Sequence, residues 1–221
     1  MKVLIAGKAP QPCRGSETVL VSGHVSDNSP ADLATEPTRR QLTQRQAGTV
    51  RKLTAAAVAE TRAVGYAGLT VRNVAARAGV AAATAYMYFS SKEHLLAEVY
   101  WRELRALPPV PDDGGDPVAR VTGVLRDIAL LLASEPELAA ACTVAILGTS
   151  PDARYLAGRI GLAIRERLVT ALGPGHDPRV LAALEYTYSG AMVHAGMGFT
   201  SYGQVADRLA DAARLIMTRA G

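Results

Sequence analysis

"VRNVAARAGVAAATAYMYFSSKEHL", residues 71–95, decides how this chain is read. Val71, Val74, Ala75 and Ala78 recur at the spacing of one helix face, Thr70 stands ahead of them as an N-cap, and Gly79 supplies the left-handed residue that ends a helix. A minimal turn then leads into a second short helix, expected over residues 81–88. Helix, glycine turn and short helix make the helix-turn-helix arrangement, whose second helix enters the DNA major groove.

Aromatic residues make up only 5% of the chain, yet Tyr86, Tyr88 and Phe89 fall within four positions. Phe89 ends the second helix and is expected to plug the space between the first, third and fourth helices. Tyr86 and Tyr88 lie on other sides and can offer hydroxyls to phosphate oxygens. "SSKE" at 90–93 reads as a capping box, with Ser90 as N-cap and Glu93 at N3 of a helix running to about Leu107. Lys92 then stands in the first turn, where its charge and the free amides of the helix start can meet the same backbone strand.

Upstream, "TQRQ" at 43–46 forms another capping box, through Thr43 and Gln46, for a helix that should stop at Gly65. Residues 1–37 lack helical periodicity and are rich in Pro, Ser, Gly and Asp, so they read as a flexible extension. Downstream, "PPVPDDGGDP" at 108–117 must break the helix and marks a junction. The organisation expected is therefore an extension over 1–37, a helix-turn-helix unit over 38–107 and a second helical unit over 108–221. In the last, Asp116–Pro117 opens a helix to about Ala133, Ser134 with Glu137 one to about Leu147, and Ser150–Pro151 one ending at Gly173. Asp177–Pro178 opens another to about Thr200, and a final helix covers about 204–219. The fold class expected is all-α, with about nine helices.

The formal net charge of +4 is unevenly spread: residues 38–105 carry eleven basic and four acidic side chains, a local excess of +7, while both flanks are slightly negative. Such a block is the electrostatic footprint of a module that binds a polyanion. Apolar runs stop short of the roughly 20 residues that span a bilayer, and no secretory leader is evident, so no membrane association and a cytoplasmic location are expected. Cys13 and Cys142 match neither a disulfide framework nor a zinc spacing. No nucleophile elbow, phosphate-cradling glycine loop or H-E-x-x-H motif is present, and neither enzyme activity, cofactor nor metal is expected.

"GYAGLTVRNVAARAGVAAATAYMYFSSKE", residues 65–93, resembles the pattern G-Y-x-x-x-T-[VM]-x-x-[VI]-A-x-x-A-G-V-S-x-G-T-[LF]-Y-x-Y-F-x-S-K-E of the TetR family of regulators. The resemblance runs from Leu53 to about Trp101 and implies DNA contacts at Thr70, Arg72, Thr84, Tyr86, Tyr88 and Lys92, with Arg72, Thr84 and Met87 as the candidates to touch bases. Arg39 and Arg40 resemble a basic arm that reaches a minor groove. The departures are specific. Ala81 replaces the usual Ser or Thr N-cap, a change costing about 1 kcal/mol, and Ala82 and Ala83 offer bases no hydrogen bond. Ala85 and Thr61 stand where the family buries larger side chains, so repacking by Val64, Met87 or the second unit is expected.

The resemblance further implies a homodimer on a palindromic double-stranded operator, formed through the last two helices, and a small-molecule pocket in the second unit. In "YSGAMVHAGMGF", Gly190, Ala191, Ala195 and Gly198 offer a close-approach face for the dimer. Cys142, Tyr155, Tyr186, Tyr188, Met192 and His194 are the candidate lining groups for a largely apolar ligand, His194 reading otherwise as a satisfied core histidine. The function expected is a ligand-responsive repressor. The alanine-rich recognition helix keeps one alternative, a helical small-molecule-binding or catalytic protein with a vestigial helix-turn-helix.

Overall fold

A computed structural model describes residues 44–111 and 114–218. The predicted extension over 1–37, Cys13, Arg39, Arg40 and the Thr43 cap lie outside the described residues. Nine helices occur among the described residues and no strand: α1 (Gln44–Gly68), α2 (Val71–Arg77), α3 (Ala82–Tyr88), α4 (Lys92–Ala106), α5 (Pro117–Leu130), α6 (Pro136–Ile146), α7 (Pro151–Leu172), α8 (Pro178–Gly196) and α9 (Tyr202–Thr218).

Helix α4 links the first helices of the chain to the later ones. It packs against α1 on one side and against α6 and α7 on the other, and nine of its fifteen residues are buried. α5 lies along α9, α8 packs on α9, and α1 also touches α6. One continuous apolar core therefore runs from Leu53 and Phe89 through Leu96 and Leu104 to Leu184 and Leu209. The segment after α4 is held at both ends: Arg167 donates to the Pro108 carbonyl (2.8 Å) and Arg120 to those of Gly115 (2.6 Å) and Ala171 (3.0 Å).

Most helix ends follow local chemistry. α1 breaks its helical geometry at Gly65 (φ 64°), where the sequence placed the stop. Asp116, Ser150 and Asp177 cap α5, α7 and α8 through their side chains, each with proline in the first turn. Three expectations need correction. The N-cap of α6 is Glu135 rather than Ser134; Pro136 fixes the first helical position, and the Glu135 carboxylate makes no cap bond because it pairs with Arg62 of α1. α5 ends at Leu130 rather than about Ala133. α8 ends at Gly196 rather than about Thr200, because Gly198 (φ 78°) lets Gly198 and Phe199 donate back to the Ala195 and His194 carbonyls (2.9 and 3.1 Å). Ser201 and Gln204 then form a reciprocal capping box that starts α9 at Tyr202.

Candidate nucleic-acid interface and ligand cavity

The helix-turn-helix is built from local bonds. The Thr70 hydroxyl accepts the Asn73 amide (3.0 Å) at the start of α2. At its end Gly79 (φ 64°) allows Val80 to donate to Ala75 and Gly79 to Ala76 (2.9 and 3.2 Å), satisfying two orphan carbonyls in a Schellman turn. α3 follows with Ala81 as its extended N-cap and no side-chain cap bond, as its alanine implies.

Ala85 and Phe89 point inward and are fully buried, and the Phe89 ring meets the His94 ring edge-on at 5.4 Å. Thr61 is also fully buried, its hydroxyl donating to the Ala57 carbonyl (2.8 Å), which removes the cost of an unpaired polar group. The small residues are not compensated by Val64 or Met87, which are 44% and 78% exposed. Tyr66, Val80 and Tyr88 pack against the core instead.

Arg72, Asn73, Tyr86 and Met87 are exposed, and Thr84 and Tyr88 half-buried, on the outer side of α2 and α3. Lys92 sits at the edge of this face but has a task inside the chain. Its Nζ donates to the Tyr66 carbonyl (2.9 Å) and lies 4.1 Å above the Tyr66 ring. The Tyr66 hydroxyl donates to Glu93 (2.8 Å). Burial acts to raise the Glu93 pKa, but hydrogen bonds from Tyr66, its own backbone N–H and Ser91, with the charge of Lys92, outweigh it and hold it below the usual value. The N-cap of α4 is Ser91, which accepts the His94 amide (3.1 Å), not Ser90. Ser90 donates to Asp152 of α7 instead (2.6 Å), and the Glu93 carboxylate accepts from Tyr66.

Tyr100 of α4 lines a half-open cavity of about 240 Å³ whose other walls come from α6, α7 and α8. Tyr100, Thr143, Ile160, Ile164, Tyr188 and Met192 are among its lining residues. The Tyr100 and Tyr188 hydroxyls are 2.9 Å apart inside it. Burial pushes the Tyr100 phenol up to about 12 and that of Tyr188 well above its ordinary value. Cys142 lies beyond the wall, buried, with its thiol 3.5 Å from the Leu96 carbonyl and its pKa raised by burial to about 12.

The family model for "Bacterial regulatory proteins, tetR family" matches residues 53–99, the stretch that holds α2, α3 and most of α4. An uncharacterized HTH-type transcriptional regulator of Mycobacterium tuberculosis is 48% identical over 204 residues, covering 90% of this chain and 96% of that one. The chain belongs to the TetR family. Among solved structures, a TetR transcriptional regulator from Rhodococcus sp. RHA1 superposes with a TM-score of 0.68 at 23% identity, covering 81% of this chain and 100% of that one. Thermus thermophilus FadR, a TetR-family repressor solved with lauroyl-CoA, gives 0.56 at 20% identity, covering 76% and 93%.

For this TetR-family chain, the candidate DNA residues Thr70, Arg72, Thr84, Tyr86, Met87 and Tyr88 fall on α2 and α3 or at their caps. Among the candidate ligand residues only Tyr188 and Met192 line the cavity. Tyr155 and Tyr186 are 69% and 81% exposed. His194 is exposed rather than in the core, with Phe199 edge-on at 5.7 Å, and with Tyr186, Gly190 and Ala191 it lines a shallow groove between α8 and α9. Ala195 is buried within the chain, while Gly190 and Gly198 are exposed. Sequence reasoning missed Tyr100, because α4 was read only as the support of the helix-turn-helix. It also missed Glu98, fully buried beside Arg102 (2.7 Å). No helix among the described residues is long and apolar enough to cross a membrane.

Proposed function

We propose that this TetR-family chain is a cytoplasmic repressor, without catalytic activity, that holds a palindromic operator as a homodimer and leaves it when a small, largely apolar molecule enters the cavity. The observation that carries the reading is α4: its first turns support Phe89 and the recognition helix, and its later turn presents Tyr100 to the cavity. A molecule seated against Tyr100 bears on the helix beneath the DNA-reading face. It need only bind the DNA-incompetent arrangement better, since equal affinity for both arrangements shifts nothing.

In this reading Arg72, Thr84 and Met87 meet base edges, and Thr70, Tyr86, Tyr88 and Lys92 meet phosphates. An operator read by two such helices demands a two-fold partner. The exposed apolar residues Tyr186, Met197, Phe199 and Leu215, on or beside α8 and α9, support those helices as the dimer surface, with Gly190, Ala191 and Gly198 allowing close approach. FadR, a repressor solved with an acyl-CoA, supports ligand response.

The test is binding to DNA flanking the chain's own gene by the wild type and by an Arg72→Ala/Tyr86→Ala variant. Both side chains are exposed, so the variant is expected to fold as the wild type does and to lose selective binding. Retained binding overturns the assignment of this face.

A further inference from the structure

The residues lining the 240 Å³ cavity include tyrosine, threonine, serine, methionine and aliphatic side chains, and none that carries a charge. Tyr100 and Tyr188 are more than nine-tenths buried, and one of their two hydroxyl hydrogens is spent on the bond between them. Each hydroxyl is both a donor and an acceptor, so the pair keeps one O–H to donate, in a lining where Thr143 and Ser189 are the other polar side chains.

We infer that the cavity recognises a small uncharged molecule bearing one hydroxyl or carbonyl oxygen, which accepts a hydrogen bond from the Tyr100–Tyr188 pair while its apolar body lies against Ile160, Ile164 and Met192. This inference rests on the ligand-responsive reading above and specifies its effector. Size follows from the volume: a cavity of about 150 Å³ takes benzene, so this one holds an aromatic ring or short chain with a few further atoms. A charge beside the tyrosine pair is disfavoured by the surroundings. A carboxylate entering here finds no cation to pair with, and an ion without a partner in such a site is strongly disfavoured. The raised pKa values of both tyrosines report the same low polarity. The preference therefore departs from the acyl-CoA that FadR holds.

The experiment uses four probes on the full chain by isothermal titration calorimetry: toluene, benzyl alcohol, benzoate and lauroyl-CoA. They are repeated on a Tyr100→Phe/Tyr188→Phe variant. Replacing both partners of a buried bond by isosteric apolar groups is close to neutral for folding, and an unchanged circular dichroism spectrum and thermal unfolding midpoint confirm that the variant folds. The result expected is binding of benzyl alcohol and toluene, with benzoate and lauroyl-CoA far weaker. The double substitution should weaken benzyl alcohol about 3- to 10-fold, the yield of one net hydrogen bond, and leave toluene unchanged. Benzoate or lauroyl-CoA binding as tightly as benzyl alcohol overturns the inference, as does equal loss of toluene and benzyl alcohol in the variant. In those cases the ligand-responsive reading stands. If none of the four probes binds, both the inference and that reading fall.

Discussion

Replacing Glu98 by Gln should stabilise the protein, and by an amount that grows with pH. The Glu98 carboxyl has no exposed side-chain surface, one oxygen is bonded to Arg102 at 2.7 Å, and its Oε2 is buried without a hydrogen-bond partner among the described residues. Burial raises its pKa from 4.5 to about 7, against the lowering charges of Arg102 and Arg159. An acid whose folded pKa lies above its unfolded one holds its proton more tightly in the native state. Its stabilising contribution is therefore fully present below about pH 4.5 and is lost as the pH rises towards 7. At about 1.4 kcal/mol per pKa unit, the shift amounts to about 3 kcal/mol, most of it lost between pH 5 and 8. The Glu98→Gln variant carries no titrating proton at this site. Urea unfolding of both proteins should give a stability difference about 2 to 3 kcal/mol more favourable to the variant at pH 8 than at pH 5. Comparing the two proteins cancels titrations elsewhere in the chain. A difference that is flat with pH, or that favours the wild type more as the pH rises, refutes the reasoning.

Two further outcomes follow from the same structure. Ala85→Leu forces a larger side chain into a fully buried site and should lower unfolding stability by about 1 to 3 kcal/mol; a stabilised variant would show that the helix-turn-helix core has room it is held here not to have. Lys92→Ala removes a proposed phosphate contact, so the slope of log affinity against log salt should become shallower by about one per protomer. An unchanged slope with reduced thermal stability would confine Lys92 to its tie with Tyr66.

The helix-turn-helix was legible in the sequence because its determinants are local. Thr70 and Gly79 act through bonds within five residues, and the alternation of buried and exposed positions in α2 follows the helical period. Asp116, Ser150 and Asp177 were legible for the same reason. The corrections come where a distant partner intervenes. Glu135 is taken by Arg62, Ser90 by Asp152 and Glu93 by Tyr66, and none of these pairings is written in sequence spacing. The cavity was legible only as a class of feature. Tyr188 and Met192 share a face of α8 that turns inward, whereas Tyr186 and His194 turn outward, and one apolar helix does not reveal which side its neighbours cover. The buried Tyr100–Tyr188 bond joins residues 88 positions apart, beyond the reach of any local pattern.

The central claim is best tested by fluorescence anisotropy of the purified full chain on DNA flanking its own gene, over a salt series, with a scrambled duplex as control and the protein-to-DNA stoichiometry determined. The account predicts two protomers per duplex, tight binding to the native sequence alone, and an affinity that falls steeply as salt rises. Equal, weak binding to both duplexes, followed by a genome-wide selection that returns no bound fragment, would contradict it.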